Sequence, residues 1–121
     1  MRAEERIKKF RNLKRNWFSQ DSGEPINEHL IQFLLRSLKS NKDAWECLRV
    51  GTMLPNLDGT LSIEWNTNTI STEIMFRSRY AYYNECDHTD EQKYKEVMDT
   101  YSNSFWSILN DRIQFNLGYT I

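Results

Sequence analysis

Cys86-Asp-His88-Thr-Asp90, with Cys47 and His29 elsewhere in the chain, supplies every side-chain type that zinc accepts. The spacing argues against a site. Structural zinc draws its four ligands from paired elements such as C-x-x-C, and none occurs here, so no metal is expected. As a nucleophile, Cys86 has His88 close by in the chain, but the neighbouring carboxylates of Glu85 and Asp87 disfavour a thiolate. Glu64 and Glu73 fall on adjacent expected strands, in the manner of paired hydrolase or nuclease acids; the expected register sets them diagonally, with Ser62 facing Glu73 and Ser71 facing Glu64. Glutamates on a wet sheet face account for them without catalysis. Gly23, Gly51, Gly59 and Gly118 stand singly and form no phosphate-cradling loop. The expectation is a non-enzymatic protein with no catalytic residue and no cofactor.

The elements around these residues are those of one α+β domain spanning 1–121, expected as two N-terminal helices, a three- to four-stranded antiparallel β-meander and a long C-terminal helix. Ile7, Phe10, Leu13 and Trp17 give one apolar stripe to a charged helix over residues 2–16. After the break at 19–24, Pro25 suits the first turn of a second helix, about 26–39, lined by Ile26, Leu30, Phe33, Leu34 and Leu38. Residues 41–54 are consistent with a short turn of helix or with an edge strand. Pro55-Asn-Leu-Asp-Gly59 then breaks the backbone, and Leu61-Ser-Ile-Glu-Trp65 alternates apolar and polar residues, which marks a strand with one buried face. Strands are expected near 60–66, 69–76 and 79–84. Their first hairpin places Trp65 opposite Ile70 and Leu61 opposite Ile74, leaving Ser62, Glu64, Ser71, Glu73 and Met75 on a polar outer face. Thr89-Asp-Glu-Gln92 fits a capping box, so the last helix is expected from there to about 115, with Gly118 past its end.

Sixteen Lys and Arg against seventeen Asp and Glu leave a formal charge of −1, which excludes a strongly basic protein wrapped in phosphates. The charge is polarised along the chain. Residues 1–57 hold eleven basic and seven acidic side chains, whereas 58–121 hold five and ten. With two cysteines, no signal-peptide pattern in the charged first 17 residues, and no run approaching the roughly 18 apolar residues of a membrane span, a reduced, cytoplasmic protein with no membrane association is expected. Four Trp, six Tyr and six Phe exceed what a small core needs, and aromatics left at the surface favour binding.

Two surfaces compete for a partner. Arg6, Lys9, Arg11, Lys14 and Arg15, among seven basic residues in the first fifteen, could follow a nucleic-acid backbone or be the solvated side of an amphipathic helix. Arg77, Arg79, Tyr80, Tyr82 and Tyr83 combine aromatics with cations, as a base-stacking platform or a protein interface does.

The order Leu13-x-x-x-Trp17, Gln20-Asp21, Pro25 with Glu28 and Ile31, then Pro55-x-x-Asp-Gly59-x-Leu-x-Ile-Glu-Trp65, resembles a group of small bacterial proteins that look like accessory products of phages and mobile elements. The resemblance covers about residues 10–83 and leaves out the final helix. It departs at Phe18-Ser19, where many of the group have Asp or Asn followed by Gly. No catalytic residue carries over. The resemblance implies an inhibitor of a bacterial defence system, of the anti-CRISPR kind, that binds a larger host nuclease. Glu85, Asp87, Asp90, Glu91, Glu96 and Asp99 would mimic nucleic acid, beside Arg77, Arg79, Tyr80 and Tyr82. The alternatives are a nucleic-acid-binding regulator using the basic first helix, and an antitoxin or immunity protein.

Overall fold

Two asparagines set where the central helices begin. In the computed structural model, which describes residues 2–118, the Asn27 side chain accepts a hydrogen bond from the His29 amide, so helix α2 spans Glu28–Ser40 and starts beyond Pro25 rather than at it. Asn41 ends α2 and, accepting from the Ala44 amide, caps α3, Lys42–Val50. The ambiguous stretch is therefore helix first and strand afterwards, with Gly51 between. A side chain at Gly51 would lie 2.5 Å from Ile63 Cγ2 and 2.8 Å from Trp65 Nε1, so only glycine lets α3 pass this close to the sheet.

Helix α1, Ala3–Phe10, is shorter than the 2–16 expected. Beyond it the chain folds on itself: Asn16, at φ 62°, donates its amide to the Gly23 carbonyl, and Trp17 donates its indole N–H to the Glu24 carbonyl at 2.6 Å. Trp17 thus pins a loop instead of extending the helical stripe.

The strands are β1 Thr52–Pro55, β2 Leu61–Asn66, β3 Ile70–Phe76, β4 Tyr80–Asp87 and β5 Gln92–Asp99, followed by α4, Phe105–Leu117. They form one antiparallel sheet in chain order, five strands where three or four were expected. The last helix begins much later than Thr89 because residues 92–99 pair with β4. The supposed capping box is a hairpin tip: Asp87 accepts from the Thr89 amide, Asp90 from the Gln92 amide, and Glu91 sits at φ 59°. Gly118 does end α4, at φ 76°.

The register of β2 on β3 is shifted by two residues from the expected one, pairing Leu61 with Phe76, Ile63 with Ile74 and Trp65 with Thr72. The turn lies one residue further along the chain than supposed, since Thr67 donates its amide to the Ile70 carbonyl and its hydroxyl accepts from the Ile70 amide. A shift of two leaves every side chain on its expected face. It also places Glu64 opposite Glu73 rather than diagonal to it.

One face of the sheet packs against the helices. Leu61, Ile63, Trp65, Ile74, Phe76, Ala81, Tyr83 and Met98 are buried there with Leu30, Ile31 and Leu34 of α2 and Phe105, Trp106, Leu109 and Ile113 of α4. Phe33, Phe76, Phe105 and Trp106 form an aromatic cluster with ring centroids 5.0–6.5 Å apart. The buried indoles are satisfied: Trp106 donates to Ser37 Oγ at 3.1 Å and Trp65 to the Cys47 carbonyl at 3.0 Å. No helix among the described residues is long and apolar enough to cross a membrane.

Candidate functional site

Strand alternation gives the sheet a second face, and among the described residues no hydrophobic core forms on it. Leu54, Ser62, Met75, Tyr82 and Val97 are successive cross-strand neighbours from β1 to β5, so they make one row across all five strands. Of these, Leu54, Tyr82 and Val97 are exposed, Val97 at 58 %, and Met75 is half-buried, whereas Ser62 is buried and accepts from Asn56 Nδ2, which sets Leu54 apart from the other three. At one end of the strands the row is flanked by Tyr80, opposite Asp99. Arg79 grips the Asp99 carboxylate in two hydrogen bonds of 2.9 and 3.1 Å, and its guanidinium carbon lies 5.3 Å from the Tyr80 ring centre and 5.0 Å from that of Tyr101. The Arg79 hydrogen bonds hold the Asp99 carboxyl below its usual range. A bare sheet face with tyrosines, an arginine held in place, and aliphatic side chains among them is the composition of a protein-binding hot spot.

In the other direction along the strands the rows become polar. Thr52, Glu64, Glu73, Asn84 and Lys95 form one row, and Asn66, Ser71, Cys86 and Lys93 the next. Apart from Thr52, the two rows line a shallow groove of about 550 Å³, which Thr72, Glu85 and Tyr94 also border.

Of the residues expected to bind protein, Arg79, Tyr80 and Tyr82 are brought together in this patch. Arg77 lies apart, bridged to Asp58 at 3.5 Å. Tyr83 points to the opposite, helical face, where its hydroxyl donates to Glu85 Oε2 at 2.6 Å; burial first, then that carboxylate, pushes its ionisation up.

The six acids do not form a single surface. Glu85 faces the helices and accepts from Tyr83 and, at 2.9 Å, from Asn116 of α4. Glu96 shares that side, ion-paired with Arg112 and accepting from the Tyr94 hydroxyl; the Arg112 hydrogen bond, before any other cause, lowers its ionisation below 4.5. Asp99 is clamped by Arg79 at the far end of β5, about 24 Å from the tip at ~3.4 Å per residue. Asp87, Asp90 and Glu91 remain together at the hairpin tip, the two aspartates also accepting from backbone amides.

The basic segment divides likewise. Arg6 donates to the carbonyls of Leu48 and Gly51 and so closes the end of α3. Arg11 pairs with Glu28 at 2.8 Å. Lys9, Lys14 and Arg15 are exposed and, among the described residues, enter no ion pair.

Sequence reasoning missed Leu54, Val97 and Tyr101 as members of the patch. The signal for Val97 was the alternation Lys93, Lys95, Val97 against Tyr94, Glu96, Met98, which has a period of two. Among the described residues no group of three or more His, Cys, Asp or Glu could hold a metal ion. No protein family, curated protein or solved structure matches the chain.

Proposed function

We propose that this chain is a non-enzymatic inhibitor that docks on a larger protein through its uncovered sheet face, the partner being a nuclease effector of a bacterial defence system. The observation behind the docking surface is the row Leu54, Met75, Tyr82 and Val97, flanked by Tyr80, Arg79 and Tyr101. Buried tyrosines and arginines carry much of the energy of protein interfaces, and side chains presented on strands lose little freedom on binding. The class of partner rests on the resemblance carried by Pro55-x-x-Asp-Gly59 and Ile63-Glu-Trp65.

The acidic residues take a smaller part in this reading than nucleic-acid mimicry would give them. Three of the six are held by Arg79, by Arg112, or by Tyr83 and Asn116, which leaves the tip acids as rim contacts that speed encounter more than they add affinity.

The test is a cleavage assay with purified CRISPR effector nucleases, each titrated with the chain. The expected result is inhibition saturating at a fixed stoichiometry for one effector, with loss of at least tenfold in potency for Tyr82→Ala combined with Val97→Asp. Inhibition that disappears when excess nucleic acid is supplied, and that is untouched by the double variant, would instead favour Lys9, Lys14 and Arg15 as phosphate contacts. Binding by those three would weaken steeply with salt.

A further inference from the structure

The polar end of the same face holds a cluster that the docking reading does not use. His88, just past the end of β4, folds back over the sheet: its amide donates to the Thr69 carbonyl at 2.7 Å, its Nε2 is 2.7 Å from Ser71 Oγ, and its Nδ1 is 3.8 Å from Cys86 Sγ. The imidazole is therefore fixed by a neighbouring strand with its second nitrogen directed at a thiol, the order of nucleophile, base and orienting group found in thiol chemistry. Strand alternation also answers the objection raised by the flanking carboxylates. The Glu85 and Asp87 side chains leave β4 on the opposite side from Cys86, Glu85 reaching only the border of the groove, whereas Lys93 is its cross-strand neighbour on the same side. Cys86 is partly exposed and lines the groove, so a small molecule can reach it.

The rest of the groove indicates what that molecule is. Lys93 and Lys95 stand on one side and Glu64 and Glu73 on the other, with Asn84 between, and Glu85 also borders the groove. Two cations facing two anions suit a ligand bearing both carboxylate and ammonium groups. We propose that Cys86 is a thiol-exchange site for small zwitterionic disulfides of the oxidised-glutathione class, with His88 as its base and Ser71 as the positioning residue for His88. His88 takes the Cys86 proton, and the thiolate attacks one sulfur of the disulfide. That S–S bond breaks as the bond to Cys86 forms, and the departing thiolate takes the proton back from His88. One disulfide and one protein thiol become one mixed disulfide and one small thiol, with no other oxidant.

Cys47 is the internal control. It is fully buried beneath α4, its thiol pushed up to about 12 by burial first and then by Asp43, Glu46 and Asp111.

The test incubates the native full-length chain with oxidised glutathione and, separately, with the uncharged 2-hydroxyethyl disulfide, following adducts by intact mass and peptide mapping. The expected result is a single adduct on Cys86 and none on Cys47. With either probe, His88→Asn and His88→Gln should slow the reaction roughly tenfold or more. Lys93→Glu with Lys95→Glu should slow it several-fold with oxidised glutathione and little with the neutral disulfide. No adduct on the native chain, equal rates with and without His88, or equal discrimination against both probes in the lysine variant would each overturn the proposal.

Discussion

Tyr82 and Tyr83 are adjacent in the chain and have opposite environments. Tyr83 is 1 % exposed, its hydroxyl held by Glu85 and its ring 5.2 Å from the Arg112 guanidinium carbon, whereas Tyr82 is 37 % exposed and lies between Met75 and Val97 on the bare face. The helical face spends its aromatics and charges on holding α4 to the sheet. The other face uses its charges locally, Arg79 holding Asp99 beside Tyr80, and leaves Tyr82 and Val97 open to solvent. The contrast separates two kinds of aromatic residue that composition alone counts together, one packed into the fold and one left at the surface.

The sharpest way to break that contrast is to truncate one aromatic from each face. Phe76→Ala removes a fully buried ring from the cluster with Phe33, Phe105 and Trp106, and should cost about 3–5 kcal/mol of unfolding free energy in urea. Tyr82→Ala should change it by no more than about 0.5 kcal/mol. A comparable loss from both would mean that the open face is structural as well.

Tyr83→Phe is a finer probe, because Asn116 still reaches Glu85 when the hydroxyl is gone. It should cost about 1 kcal/mol at neutral pH. It should also flatten the alkaline limb of the stability curve. Burial raises the folded-state ionisation of Tyr83 above its ordinary 10.0, so the unfolded chain loses its proton first, and stability present below that value falls as the pH rises past it. Tyr94, raised chiefly by its hydrogen bond to Glu96, leaves a residual slope in the variant.

The smallest effect is expected at the acid end. The Glu96 carboxyl is lowered below its ordinary 4.5 by Arg112, so its contribution is present above that value and is lost as the pH falls below it. Glu96→Gln should narrow the drop in melting temperature between neutral and acidic buffer. Asp58, lowered chiefly by the Thr60 hydroxyl, and Asp99, lowered by Arg79, would account for part of what remains.

How much of this was legible depended on whether local and long-range signals agreed. At Leu61–Trp65 they did: the alternation has one reading, and because the register shift was two residues, each side chain stayed on its expected face. At 92–99 they conflicted. Tyr94, Val97, Met98 and Tyr101 recur at helical intervals and Thr89 to Gln92 imitates a cap, yet eight residues of pairing with β4 override both. The mistaken helix concealed Val97, and with it the row that completes the patch, so Tyr80 and Tyr82 could be named as binding residues but not placed on a surface. The pairing of Cys86 with His88 was visible as spacing. Its orientation by Ser71, and its separation from Glu85 and Asp87 by the strand's alternation, existed only once the register was known.

The measurement that bears most directly on the central claim is capture from nuclease-treated bacterial lysate by the tagged chain, comparing the parent with two variants by mass spectrometry. One carries Tyr82→Ala with Val97→Asp; the other carries Asp87→Asn, Asp90→Asn and Glu91→Gln. A stoichiometric protein partner retained by the tip variant and lost by the sheet-face variant is the predicted result. A partner lost only when the tip acids are neutralised, and indifferent to Tyr82 and Val97, would contradict the account and return the function to the acidic hairpin.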